Sequence, residues 1–130
     1  MFVDTSVIVA ILSQEDDADL WIDKLETASG LITSVLVVLE AVMRLSTKLR
    51  IEPPEASAAI DAFLREAAIA VVPIGEAEQA SAVHAFATYG KGRGHPAQLN
   101  LADCLSYACA KARGVPLLYK GDDFARTDLA

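Results

Sequence analysis

The hydrophobic positions change their period several times along the chain, and each change marks an element boundary. Phe2 and Val3 form a short apolar run that stops at Asp4-Thr5-Ser6, after which Val7, Ile8, Ile11 and Leu12 recur at helical spacing. This predicts a strand, a tight turn and a helix. Asp16, Asp17 and Asp19 precede Leu20, Trp21 and Leu25, which reads as a second helix with a solvated acidic first turn, where the macrodipole favours negative charge. Beyond Gly30, Leu31-Ile32-Thr33 predicts a second strand, and a long apolar helix capped by Ser34 runs to about Arg50. Pro53-Pro54 closes the connection. Ala56, Ala59, Ile60, Phe63, Leu64 and Ala67 then follow the i, i+3, i+4, i+7 series with Ser57, Asp61 and Arg65 opposite, an amphipathic helix. The β-branched run Ile69 to Ile74 predicts a strand, and alanine-rich Glu76 to Tyr89 a helix ended by Gly90. A glycine-rich basic loop, Lys91-Gly92-Arg93-Gly94-His95-Pro96, leads to a helix opened by Asn100 and ended by Gly114. Pro116 to Tyr119 is the last strand, closed by Gly121-Asp122-Asp123-Phe124.

Strands separated throughout by helices indicate an α/β fold: a three-layer sandwich with a central parallel sheet of four or five strands flanked by helices. A length of 130 residues, with no repeat or linker, makes this a single domain, 1–130.

Composition narrows the function classes. At 53% hydrophobic and 22% charged residues the chain lies outside the disordered range, and no apolar run reaches the roughly 18 to 20 residues needed to span a bilayer. Met1-Phe2-Val3-Asp4 has no basic leader, so a cytoplasmic location is expected. Cys104 and Cys109 point to different faces of one predicted helix and are expected to be reduced and buried. A net charge of −7 argues against holding nucleic acid by bulk positive charge, so any such contact is local or bridged by metal.

Ligands of open α/β sheets bind at the carboxyl ends of strands. Asp4 and Asp122 follow the first and last strands, Asp103 lies in the first turn of a helix, and Glu40 sits among Leu36, Val37 and Met43, where an ionised carboxylate needs a partner or a cation. Carboxylates converging without a histidine or cysteine cluster make a hard-oxygen site suited to Mg²⁺ or Mn²⁺, and phosphodiester hydrolysis is the natural reaction there. Lys91, Arg93, Lys111 and Arg113 are available for local phosphate contacts, and His95 for RNA. Each acid also has a structural explanation. Asp4 suits a helix cap, Asn100-x-x-Asp103 a capping box, Glu40 an i, i+4 pair with Arg44, and Asp122 and Asp123 a turn. Only the combination points to chemistry.

Taken together, Phe2-Val3-Asp4-Thr5-Ser6, Glu40, the run from Gly90 through Cys104 and the run from Leu117 to Asp128 resemble the PIN-domain ribonucleases, specifically the VapC-type toxins of bacterial toxin–antitoxin pairs. The resemblance spans nearly the whole chain, departing from the usual pattern at Ala102, where the family usually has glycine. It implies a metal-dependent endoribonuclease acting on RNA, often tRNA or ribosomal RNA, with Asp4, Glu40 and Asp103 as core acids. Asp122 is the fourth, in competition with Asp123, and Ser6 or Thr5 is a hydrogen-bonding accessory. It also implies Mg²⁺ or Mn²⁺ as cofactor, a homodimer, and a VapB-like antitoxin forming a hetero-oligomer, with the Ala56–Ala67 face offered to either protein partner. Two other readings compete: an idle PIN-like subunit that only binds a partner, and a receiver-type phospho-acceptor module with Lys120 after its last strand.

Overall fold

The computed structural model describes all residues from 1 to 130. In chain order the elements are β1 (Phe2–Val3), α1 (Thr5–Leu12), α2 (Ala18–Thr27), β2 (Ile32–Ser34), α3 (Val35–Leu49), α4 (Pro53–Glu66), β3 (Ala70–Val72), α5 (Glu76–Tyr89), α6 (Leu101–Arg113) and β4 (Leu117–Leu118). The four strands form one parallel sheet in the order β3-β2-β1-β4. From β1 to β3 the chain moves one way across the sheet, and from β3 to β4 it returns past β1. Right-handed crossovers therefore place α1–α4 on one face and α5–α6 on the other. The packing of α1 on α2 and α3, of α3 on α4, and of α5 on α6 agrees with this. No helix is long and apolar enough to cross a membrane.

The boundaries moved where local chemistry is stronger than the hydrophobic pattern. The third strand is only Ala70–Val72, cut by Pro73, which lacks an N–H for the ladder. It lies at the sheet edge with Ala70 and Val71 exposed, so its β-branched run does not mark a buried strand. The proline pair does not merely end a connection. Pro53 and Pro54 begin α4, where a missing N–H costs nothing.

One cluster of buried side chains, including Phe2, Val3, Ile8, Val37, Leu45, Ile60, Tyr107 and Phe124, fills both sides of β1. The apolar face of α4 belongs to it. Ala56, Ile60 and Leu64 are buried as α4 packs against α3, while Ala59 is exposed and Phe63 and Ala67 are half-buried. Cys104 and Cys109 are both buried free thiols, as the sequence suggested.

Candidate active site

Strand β1 is flanked by β2 and β4, the connections on its two sides run in opposite directions, and its carboxyl end is therefore the crevice of the sheet. Asp4 is the first residue past it. The Asp4 N–H donates to Leu118 O of β4 at 3.0 Å, while Thr33 Oγ1 of β2 donates to Val3 O at 2.9 Å from a fully buried position. The backbone of the acid is thus held from both neighbouring strands. Its side chain caps α1: Oδ2 accepts from Ser6 N at 3.0 Å and from Ser6 Oγ at 2.7 Å. Oδ1 takes no hydrogen bond from the protein.

Asp103 reaches the same edge by a different route. Helix α6 runs back against the strand direction to reach parallel β4, so its N-terminus lies at the carboxyl ends of the strands. The capping box forms in full. Asn100 Oδ1 accepts from Asp103 N at 2.9 Å, and Asp103 Oδ2 accepts from Asn100 N at 3.0 Å. As at Asp4, one oxygen does structural work and the other is left over. Capping and chemistry were alternatives in the sequence, yet a carboxylate has two oxygens, and capping occupies only one of them.

The electrostatics of Asp103 show which acids surround it. Its carboxyl is raised to about 6, first by burial and then by the negative charges of Asp123, Asp4 and Glu40, against the lowering effect of the Asn100 N–H. Four acids from four places in the sequence therefore share one field. Within the Gly121–Phe124 turn, the charge of Asp123 is among the larger ones acting on Asp103. Asp122 and Asp123 are both exposed.

Glu40 is half-buried on α3 and forms no ion pair with Arg44. The apolar face around it is turned outward, with Val35, Leu39 and Met43 exposed. Glu40 lines a cavity of about 330 Å³ with Leu36, Leu39, Met43, Asn100, Leu101 and Ala102. The extra methyl of Ala102 faces this cavity beside the acids. A larger cavity of about 550 Å³ lies next to it between α5 and α6 and contains none of the acids.

Of the two accessory candidates, Ser6 engages Asp4 directly, whereas the Thr5 hydroxyl is buried and makes no hydrogen bond. Lys91 and Arg93 are exposed on the loop leading to α6, and the Arg93 guanidinium lies 5.7 Å over the Phe86 ring. His95 is half-buried, with Nδ1 accepting from Ala97 N at 3.1 Å and its ring edge-on to Tyr89.

The donor set fits a hard divalent cation: all its members are carboxylate oxygens, and Asp103 among them is raised first by burial and then by the charges of the others. No three acids are gathered closely enough to enclose an ion on protein ligands alone.

In the acidic run after α1, Asp16 and Asp19 are exposed, with Asp19 in the first turn of α2 as a solvated helix start requires, but Asp17 is not free. Asp17 Oδ1 and Glu15 Oε1 hold Lys120 Nζ at 2.7 and 2.6 Å. Their partner lies more than a hundred residues away, so no local spacing announced the contact. The same pairing removes the free lysine that a receiver module needs, and neither β2 nor β3 ends in an aspartate.

These features define an α/β domain with an all-carboxylate site at the crevice of its sheet, and the PIN domain family model matches residues 1–129. Ribonuclease VapC28 of Mycobacterium tuberculosis is 44% identical over 127 residues, covering 98% of this chain and 93% of its own. A VapC ribonuclease of Rhizobium meliloti is 44% identical over 140 residues, covering 98% of each chain. The crystal structure of Mycobacterium tuberculosis VapC20, a sarcin-ricin loop cleaving toxin, matches the fold with a TM-score of 0.77 at 17% identity, over 99% of this chain and 95% of that one. The chain belongs to the PIN-domain family and, within it, to the VapC ribonucleases.

Proposed function

We propose that this protein is a Mg²⁺- or Mn²⁺-dependent endoribonuclease, the cytoplasmic toxin of a toxin–antitoxin pair, with Asp4, Glu40, Asp103 and Asp123 as its metal-site acids. The observation that supports this reading is that Asp4 follows β1 at the sheet crevice, Asp103 lies at the N-terminus of α6 and Glu40 lines a cavity with Asn100 and Ala102, with no lysine or arginine paired to any of the three. Asp123 is preferred to Asp122 as the fourth acid because its charge is among the larger ones acting on Asp103.

A bound divalent cation supplies Lewis-acid polarisation of the scissile phosphate and lowers the pKa of a coordinated water. The chain's own residues do the rest. Asp4 and Asp103 each present one oxygen, because Ser6 and Asn100 fix the other. Glu40 adds charge from α3. Water is the nucleophile in hydrolysis, and no side chain is needed in that role. Lys91 and Arg93 supply phosphate contacts from the loop before α6, and His95, held by Ala97 and Tyr89, is a candidate to meet a base.

RNA is the substrate, with tRNA or ribosomal RNA the class to test first. A VapB-like antitoxin and a second copy of this chain are the protein partners, giving a homodimer and a toxin–antitoxin hetero-oligomer. Exposed Leu39 and Met43 on α3, Val83 and Phe86 on α5, and Leu101 between them support such a partner, since an apolar surface beside polar groups marks an interaction face.

The test is cleavage of total cellular RNA by purified protein with Mg²⁺, with Mn²⁺ and with EDTA, beside Asp4→Asn. Discrete fragments that require both metal and Asp4 are expected. Equal cleavage in EDTA, or by Asp4→Asn, contradicts the reading.

A further inference from the structure

Lys120 lies two positions past the end of β4, and its side chain is gripped from two sides, by Glu15 at 2.6 Å and Asp17 at 2.7 Å. The second oxygen of Glu15 takes Lys48 of α3 at 3.0 Å. The segment leaving β4 is thereby tied to the α1–α2 connection and to α3. The backbone N–H of the same lysine donates to Ser6 Oγ at 2.9 Å, and Ser6 Oγ donates to Asp4 Oδ2 at 2.7 Å.

A serine hydroxyl has one proton and rotates freely. With the Lys120 N–H donating to its oxygen, the proton of Ser6 is left to point at Asp4. Ion pairs that are about a third exposed add little to global stability, so the consequence of this clamp is local. We propose that Glu15, Asp17 and Lys120 form a positioning device for the metal site: they hold the Lys120 N–H against Ser6 Oγ and so fix the orientation of the Asp4 carboxylate. Lys120 also begins the turn that carries Asp122 and Asp123, so the clamp anchors two sides of the acid cluster at once. The inference rests on the reading that the acids hold a divalent cation.

The experiment is Mn²⁺ binding by the full chain, followed by electron paramagnetic resonance of free Mn²⁺, with thermal unfolding alongside. Removing an outer partner of a metal ligand weakens binding about 10- to 100-fold. Lys120→Met is expected to weaken Mn²⁺ binding about tenfold, and Lys120→Arg to recover most of the loss, because a guanidinium can span both carboxylates. Ser6→Ala should lose affinity to a similar degree, and Ser6→Ala combined with Lys120→Met little more than either alone, since both cut one chain of contacts. Should Lys120→Met fail to fold, Glu15→Gln with Asp17→Asn loosens the clamp without leaving an unpaired acid and is expected to weaken binding in the same way. If folded clamp variants bind Mn²⁺ as tightly as the unmodified protein, or if the Ser6 and Lys120 losses simply add, the positioning role is overturned while the metal site stands. If the unmodified protein binds no Mn²⁺, the metal-site reading falls and the clamp with it.

Discussion

Two populations of acidic side chains occupy this molecule, and they differ in what neutralises them. Glu15 and Asp17 are paired with Lys120, Glu78 with Arg113 and Asp128 with Lys111. Each of these carboxyls is held below its ordinary range: Glu15 and Asp17 first by Lys120, Glu78 first by the Gly75 N–H, and Asp128 first by Lys111. Asp103 goes the other way, raised by burial and by three like charges. Cations are paired with Glu15, Asp17, Glu78 and Asp128, whereas Asp4, Glu40, Asp103 and Asp123 form no ion pair. A protein that only needed a cap at α6 would gain nothing from crowding Asp123, Asp4 and Glu40 around it. Under the proposed function, a bound cation would offset the cost of placing these like charges near one another.

Exchanging one charge across this divide gives the largest effect. Asp103→Asn keeps the shape of the capping side chain and removes a repelled charge, so thermal stability should hold or rise, while RNA cleavage falls about 10² to 10³-fold, the usual cost of losing one electrostatic group at a reacting centre. A variant that melts early and still cleaves would reverse the assignment. On the other side, Glu78→Ala strands Arg113 and frees the Gly75 N–H, which should lower stability by about 1–3 kcal/mol, measured by urea unfolding, and leave cleavage in place.

The same pair sharpens the contrast through pH. Folded Glu78 titrates below its ordinary 4.5, so its contribution is complete above that value and is lost as the pH falls through the folded pKa. The stability gap between the unmodified protein and Glu78→Gln should be constant near neutrality and begin to narrow below pH 4.5; a gap that widens as the pH falls below that value contradicts the assignment. Smallest of all is Lys48→Met. Its ion pair with Glu15 is largely exposed, so unfolding should shift by less than about 1 kcal/mol.

Much of this was legible in the sequence because it is local. A strand that stops at Asp4, a cap read from Ser34 and a capping box read from Asn100 and Asp103 are each written within a few residues, and the structure forms all of them. Glu40 was singled out because apolar neighbours surround it, but the periodicity does not say which way that face turns. It turns outward, with Met43 63% exposed, and Arg44 does not reach back. The Ala56–Ala67 stripe is covered only in part within the chain, at Ala56, Ile60 and Leu64, and an amphipathic face looks the same in sequence whether α3 or another chain covers it. Asp17 was read as solvated because its cation comes from the far end of the chain. Asp122 and Asp123 are adjacent in sequence, and local spacing gives neither precedence as the fourth acid.

The central claim is that the unpaired acids exist to hold a divalent ion. Counting Mn²⁺ bound by the unmodified protein, Asp103→Asn and Glu78→Gln at one pH tests it most directly. Binding should survive in Glu78→Gln and be lost in Asp103→Asn. Equal binding in all three, or none in the unmodified protein, would contradict it.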